Sequence, residues 1–214
     1  MAHSTFRQTR LQDSSGTGLT FYYFEFLNSE SFPASFMICG SFSLSASDNS
    51  RTDWTDFRDN SSGLSFQQVS REGFDGGYYL HPRLPLTGDD FFYHEEGEDL
   101  FVLFSGYIYN KKELAPLFGF TENEPEPRIA ARLFRDEGPE FVRRLNGDFV
   151  IFICQPARRC AYLFRDQVGI RPVAYSTDSG RLMFSSDITD LCRRMSGKTA
   201  PAREYLLGYF KYVD

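Results

Sequence analysis

Residues 138–154 read GPEFVRRLNGDFVIFIC, and residues 164–175 read FRDQVGIRPVAY. The first stretch indicates a helix end, a turn at Asn146-Gly147 and a buried strand, because Asn and Gly favour turns and a short continuous apolar run is typical of a buried strand. After a short polar turn, a second strand closes at Arg165-Asp166 and a Gly-x-x-Pro corner. This order of elements is the most distinctive feature of the sequence.

The composition predicts a single strand-rich domain. The chain has 214 residues, with 23 Phe and 12 Tyr, which favour strands. Its net charge of −6 argues against a broad nucleic-acid-binding face. No run of 18 apolar residues predicts a membrane span, and the four cysteines show neither a CxxC pair nor metal-ligand spacing with His. We therefore expect a cytoplasmic chain with reduced thiols, no metal site and no nucleic-acid or membrane partner.

The rest of the chain places strands before and after a central helical pair. Residues 1–18 are polar and Gly/Ser-rich, so we expect a loose tail there and one domain over residues 19–214. The predicted strands cover 19–27, 35–44, 65–70, 77–80, 91–94, 100–104 and 180–185, and the predicted helices cover 111–118, 127–137, 139–145, 187–195 and 202–212. This arrangement indicates an α+β layered fold rather than a βαβ winding.

Several short blocks follow one another in a recognisable order. They are Cys39-Gly-Ser-Phe42, His81-Pro-Arg-Leu84, Ser105-Gly-Tyr-Ile-Tyr-Asn110, residues 138–149, residues 164–172 and Phe184-Ser-Ser-Asp-Ile188. Together they resemble the class II, or N-terminal-nucleophile, glutamine amidotransferase domain of the family of glutamine-hydrolysing asparagine synthetases and β-lactam synthetase, over residues 36–210. The resemblance implies a four-layer αββα sandwich of two mostly antiparallel sheets, as in the N-terminal-nucleophile hydrolases.

The resemblance also implies a chemistry. In active members of the family, the thiol of an N-terminal cysteine attacks the side-chain amide of glutamine. The free α-amine of the same residue is the base, and such an amine titrates near neutrality. The ammonia passes to a synthetase domain that uses ATP and Mg²⁺, whereas the amidotransferase domain needs no cofactor. The Ser-Gly-Gly-x-Asp-Ser loop of that second domain is absent from this sequence, so we expect the synthetase domain elsewhere, in cis or in trans. The resemblance is also compatible with a homodimer.

Two residues correspond to the family's nucleophile and to its carboxylate-binding group. Cys39 matches the nucleophile, but it could act only if residues 1–38 were removed to expose its α-amine. The alternative is a small buried thiol in a strand. Arg83 matches the arginine that holds the glutamine carboxylate, for which a planar guanidinium is well suited. The alternative for Arg83 is a surface arginine.

The other expected site residues depart from the family pattern. Ser105-Gly106-Tyr107 replaces the family's Asn-Gly-Glu. Serine cannot place an amide NH₂ in the oxyanion hole, and tyrosine has no negative charge at neutral pH. Glu126 stands where the family has the aspartate that binds the α-ammonium group, but the flanking prolines favour a structural turn there. Arg165-Asp166 and Asp148 belong to the family signature, and we expect them to be structural rather than catalytic.

These departures favour an amidotransferase-like domain with a degenerate glutamine site, itself without glutaminase activity. It would act as a scaffold for ATP-dependent amide bond formation. One alternative is an active amidotransferase that hydrolyses glutamine to glutamate and ammonia after removal of residues 1–38. The other is a binding module that holds glutamine, another small carboxylate or a peptide near Arg83.

Overall fold

A computed structural model of the chain describes residues 6–12, 18–24, 37–43, 64–71, 73–80, 82, 84–95, 97, 99–178 and 181–195. The strands in these ranges are β1 (Phe6–Gln12), β2 (Gly18–Phe24), β3 (Ile38–Ser43), β4 (Ser65–Arg71), β5 (Phe74–Leu80), β6 (Phe92–Glu95), β7 (Leu100–Ile108), β8 (Gly147–Gln155), β9 (Cys160–Arg165), β10 (Ala174–Asp178) and β11 (Arg181–Ser185). The helices are α1 (Lys111–Phe118), α2 (Glu126–Glu137) and α3 (Ile188–Arg194), with 3-10 segments at Gly88–Asp90, Gly138–Arg144 and Pro156–Arg158.

Two antiparallel sheets form the centre of the fold. One has the strand order β10-β11-β3-β5-β4, and the other has the order β6-β7-β8-β9. They pack face to face through a core in which phenylalanine is the most frequent residue. Phe152 joins the two sheets, because its ring stacks on Phe74 at 5.1 Å and on Phe184 at 4.6 Å between ring centroids. Along the central strands, every second side chain points into this core. The side chains between them therefore point to the outer faces of the sheets.

Helices cover the outer faces of both sheets. The apolar stripe of α2, which includes Ile129 and Leu133, packs with Val102, Phe104 and Ile151 of the four-stranded sheet. On the opposite side of the molecule, α3 lies against β10 and β11 of the five-stranded sheet. The order is therefore helix, sheet, sheet, helix, which confirms the predicted α+β, four-layer αββα sandwich.

Hydrogen bonds of Asn110 link the start of α1 to the segment that enters β8. The Asn110 Nδ2 donates to the carbonyl of Arg144 at 2.8 Å, and its Oδ1 accepts from the backbone N–H of Asn146 at 3.0 Å. The backbone N–H of Tyr109 also donates to the carbonyl of Asn146 at 2.7 Å. These contacts bring the end of β7, the start of α1 and the start of β8 together, where three of the predicted site residues lie.

The structure differs from the sequence predictions in several elements. Residues 6–12, expected in a loose tail, form β1, which pairs with β2 along its whole length, and β2 lies beside β9. A polar segment becomes a strand there because a partner satisfies its backbone hydrogen bonds. Strand β10 was not predicted, and β7 extends to Ile108. The helix predicted at residues 202–212 lies outside the described residues. In the described part of the chain, no helix is both long and apolar enough to cross a membrane.

Candidate functional site

Cys39 lies on the central strand β3, paired with Gly77 of β5 and Ser185 of β11. Its neighbours Ile38 and Phe42 belong to the core between the sheets, whereas Cys39 packs in a separate cluster with Tyr79. Because side chains alternate along a strand, the thiol of Cys39 points to the outer face of the five-stranded sheet, the face that α3 covers. Its side chain is buried, with only 1% exposed.

The surroundings of the Cys39 thiol disfavour its ionisation. Burial is the main cause, and the nearby carboxylate of Asp190 adds to it, so that the pKa of the thiol lies well above its ordinary value. The thiolate is the nucleophilic form of cysteine. At neutral pH Cys39 is therefore a protonated, buried thiol.

The backbone that precedes Cys39 is part of the fold. Ile38 is fully buried in the core between the sheets. Its carbonyl accepts from the backbone N–H of Ser186 at 3.0 Å, and the carbonyl of Met37 accepts from the backbone N–H of Tyr79 at 3.0 Å. A free α-amine at Cys39 would therefore require removal of residues that already pair with two other strands or segments.

A buried polar group under α3 was missed in the sequence analysis. Asp190 is 1% exposed, and its carboxylate accepts from Arg194 Nε at 2.8 Å and from Ser185 Oγ at 3.2 Å. Burial raises the pKa of Asp190. The signal that could have identified the pair is the i, i+4 spacing of opposite charges on a predicted helix. The group links α3 to β11 on the side of the sheet that Cys39 faces.

Ser105 and Cys39 lie on opposite sides of the five-stranded sheet. Ser105 is 2% exposed and pairs with Val150, which belongs to the core between the two sheets. Since Leu103 also belongs to that core, Ser105 faces the space between the sheets. The structure thus separates Ser105 from Cys39, the residues predicted to correspond to the family's oxyanion-hole asparagine and nucleophile.

Gly106 is required by the backbone of β7. Its φ is +129°, and a Cβ atom at this position would lie 1.9 Å from the carbonyl oxygen of Asp148. Strands β7 and β8 can approach this closely only with glycine at position 106. The close approach accounts for the glycine without any catalytic role.

Tyr107 lies near the end of β7, and Glu126 is the first residue of α2. The side chain of Tyr107 is 43% exposed, and the charges of Arg171 and Glu126 act on its hydroxyl. Partial burial raises the pKa of Tyr107, so its phenol is neutral at physiological pH. Glu126 pairs with Lys111 Nζ at 2.7 Å. It begins α2 instead of forming the expected turn, because Pro127 at the first turn of a helix needs no hydrogen-bond partner.

The signature residues Arg165 and Asp166 organise the loop after β9. The Asp166 carboxylate accepts from the backbone N–H groups of Val168, Ile170 and Arg171, at 3.1, 2.9 and 3.0 Å. Arg165 donates from Nε to the carbonyl of Arg171 at 2.6 Å. These bonds match the structural role predicted for the signature.

The rigid loop directs Arg171 toward β8, where its Nη2 lies 3.2 Å from Asp148 Oδ2. Arg83, predicted to bind a carboxylate, lies outside the described residues. Among the residues that the structure describes, no group of three or more His, Cys, Asp or Glu side chains is arranged to hold a metal ion.

Comparison with known proteins assigns the family. The model of the glutamine amidotransferase domain matches residues 80–193, just over half of the chain. The chain therefore belongs to the glutamine amidotransferase domain family. Curated proteins are also similar to parts of the chain. The chain is 32% identical over 108 residues to asparagine synthetase (glutamine-hydrolysing) 2 of Bacillus subtilis, a match that covers 50% of this chain and 14% of that protein.

Two further matches extend the comparison. The chain is 31% identical over 128 residues to asparagine synthetase (glutamine-hydrolysing) 2 of Oryza sativa subsp. japonica, covering 55% of this chain and 21% of that protein. The chain is therefore similar to part of these asparagine synthetases, and it spans about a fifth or less of their length. Among solved structures, glutamine phosphoribosylpyrophosphate amidotransferase of B. subtilis aligns with a TM-score of 0.46 and 14% identity, over 74% of this chain and 37% of that chain.

Proposed function

We propose that this amidotransferase domain has lost glutamine hydrolysis and serves as a scaffold for an ATP-dependent, amide-forming synthetase domain. The observation that carries the proposal is the position of Ile38, the residue before Cys39. It is fully buried between the sheets, and its backbone is hydrogen-bonded to Ser186. An N-terminal nucleophile at Cys39 needs a free α-amine, and exposing that amine would remove a residue from the core.

The residues around the former site support the same proposal. The Cys39 thiol faces α3, whereas Ser105 faces the space between the sheets. Serine in place of the family's asparagine removes an oxyanion donor, a change that lowers enzyme rates by about 100- to 1,000-fold. Tyr107 supplies no negative charge where the family has glutamate. The direction of the Cys39 thiol, the serine at position 105 and the tyrosine at position 107 would each lower glutamine hydrolysis for a different physical reason.

The scaffold part of the proposal is supported by the length of the relatives. Asparagine synthetases that match this chain are several times longer than the matched region. We place the synthetase domain, with its ATP and Mg²⁺, in such an additional region or in a separate chain. In this proposal the domain acts in the cytoplasm and needs no cofactor of its own.

Three forms of the protein test the loss of hydrolysis. The 214-residue chain, its Cys39→Ala variant and a chain that begins at Cys39 are each incubated with glutamine, and glutamate is measured. We expect the same background rate from all three. The intact mass of the natural protein is measured in parallel, and we expect residues 1–38 to be retained. Glutamate release that depends on Cys39 would overturn the proposal.

A further inference from the structure

Helices α2 and α3 cover opposite outer faces of the sandwich, but they bury very different side chains. In α2 the buried residues form an apolar stripe of Pro127, Ile129, Ala130, Ala131, Leu133 and Phe134. In α3 the buried residues are Asp190 and Leu191, one of which is charged. Burial of an apolar face supplies most of the stability of a short helix in a folded protein. The sheet therefore holds α3 much less tightly than it holds α2.

The buried charges of α3 add little to its attachment. Asp190 Oδ1 accepts from Arg194 Nε at 2.8 Å, and both residues belong to α3 itself. If the helix leaves the sheet, the pair moves with it and both ions return to water. The hydration that they regain offsets the attraction that they lose, because a buried ion pair contributes little net stability.

The surface under α3 includes the part of the sheet to which Cys39 belongs. Ser185 of β11 pairs with Cys39 of β3, is fully buried, and donates from Oγ to Asp190 Oδ2 at 3.2 Å. Burial raises the pKa of the Cys39 thiol most, the Asp190 carboxylate raises it further, and the Arg194 guanidinium lowers it. Both charged groups of α3 therefore lie near the thiol.

We propose that α3 is a lid over Cys39, which opens as a unit while the two sheets stay packed and thereby exposes the thiol to solvent. Segments with few buried apolar contacts open at a lower free-energy cost than the whole domain unfolds. Cys154, by contrast, lies in the core between the sheets and is reached only when they separate. Such a lid controls access to the Cys39 thiol whether or not the domain hydrolyses glutamine.

The test is alkylation of the 214-residue chain by iodoacetamide at urea concentrations below the unfolding transition, with each cysteine quantified by peptide mass spectrometry. Rates are normalised to those of the unfolded chain. Without urea we expect Cys39 to react about tenfold faster than Cys154, or more. The Cys39 rate should depend little on urea, because opening of α3 exposes little surface. The Cys154 rate should rise steeply, because global unfolding exposes much more surface.

Hydrogen exchange identifies the segment that opens. The backbone N–H of Leu191 donates to the carbonyl of Asp187, and that of Met195 donates to the carbonyl of Leu191. These amides should exchange through an opening with the same free energy and the same weak urea dependence as the alkylation of Cys39. Slower opening at these amides than at Cys39 would show that α3 is not the cover, and would overturn the proposal.

Three variants separate opening of α3 from unfolding of the whole chain. Leu191→Ala should accelerate alkylation of Cys39 by about tenfold or more, because it removes the buried apolar side chain of the lid. Ile129→Val, in the stripe of α2, destabilises the sandwich whether α3 is open or closed. It should therefore accelerate Cys154 by about fivefold and Cys39 by less than about twofold. Ile188→Ala is the control on the lid itself, since Ile188 is 65% exposed, and should leave both rates nearly unchanged.

Two results with the unchanged chain would contradict the lid. Equal urea dependence of Cys39 and Cys154 would show that Cys39 reacts only after global unfolding. Alkylation of Cys39 as fast as in the unfolded chain would show that nothing covers the thiol. Equal acceleration of the two cysteines by Ile129→Val would also overturn the proposal. If Leu191→Ala does not fold, the urea dependence of the unchanged chain decides the result.

Discussion

Arg171 and Asp148 form an ion pair that joins the loop after β9 to the start of β8, with 3.2 Å between Nη2 and Oδ2. Their side chains are only 9% and 13% exposed. Arg165 and Asp166 hold the loop that presents Arg171. The two blocks at residues 138–149 and 164–172 therefore contain contacts that hold the sandwich together, and these contacts explain the residues of the blocks without a catalytic role.

Arg171→Met should lower the free energy of unfolding by about 3 kcal/mol, because it leaves the Asp148 carboxylate buried without its partner. Denaturant unfolding measures the change. The double variant Asp148→Leu with Arg171→Met should recover much of the loss, since no unpaired charge remains. Arg143→Gln, which breaks an exposed pair with Glu140, is the control and should cost less than about 1 kcal/mol. A loss in Arg171→Met no larger than that of the control would contradict the buried-pair account.

Gly106→Ala should destabilise the chain more than Gly97→Ala. Both glycines have positive φ, +129° and +94°, but an added Cβ would meet the Asp148 carbonyl at 1.9 Å at position 106 and nothing within 4 Å at position 97. Gly97→Ala therefore measures backbone strain alone, about 1–2 kcal/mol. Gly106→Ala adds separation of β7 from β8 to that strain, and we expect it to cost at least twice as much in thermal or denaturant unfolding. Equal losses would show that β7 and β8 can move apart freely.

A chain that begins at Met37 should be more stable than one that begins at Cys39, by about 2–4 kcal/mol. The difference is the burial of Ile38, worth about 2 kcal/mol, together with the backbone hydrogen bonds of Met37 and Ile38, worth about 1 kcal/mol each. Both truncated chains lack β1 and β2, so the comparison isolates these two residues. Equal midpoints of unfolding would weaken the argument that the segment before Cys39 belongs to the core.

Stability should fall in alkaline solution, in part through Cys39 and Tyr79. Burial raises the pKa of both groups in the folded protein. The unfolded state therefore releases their protons first, and their contribution is present below the unfolded pKa and lost as the pH rises above it. For a thiol this loss begins near pH 8.5.

Cys39→Ala and Tyr79→Phe should each make the loss of stability between pH 8 and 11 less steep, as measured by denaturant unfolding across that range. Cys192→Ala is the control, because Cys192 is only half-buried. An unchanged slope in Cys39→Ala would show that the folded protein already admits the thiolate.

Elements with strong local signals were predicted closely. The helix predicted at residues 111–118 is α1, and the helix predicted at residues 127–137 is α2, which begins one residue earlier. The spacing of their apolar residues and the Gly and Pro residues at their ends are local signals, which determine where a helix begins and ends within a few positions of the chain. Strands β1 and β10 were not predicted, because they are short and polar, and their pairing with β2 and β11 rather than an apolar pattern of their own stabilises them.

The candidate site was only partly predictable, because the surroundings of its residues depend on tertiary packing. Tyr107 and Glu126 come from different elements, β7 and α2, and their roles in glutamine binding stay predictions. Asp190 and Arg194 were not singled out. A charged residue on a helix is ordinarily solvated, and only the packing of α3 on the sheet buries Asp190.

Most of the helices and strands and the family resemblance can be predicted from the sequence, because they depend on residue type and local spacing. The direction in which the Cys39 thiol points cannot be predicted in this way. Alternation along β3 defines two faces, but which face meets the second sheet depends on the phenylalanines that pack there from five other strands. Packing of the sheets therefore decides that Cys39 faces α3 and that Ser105 faces the core. The same packing brings Asp148 and Arg171, two residues of the stretch 138–175, into contact.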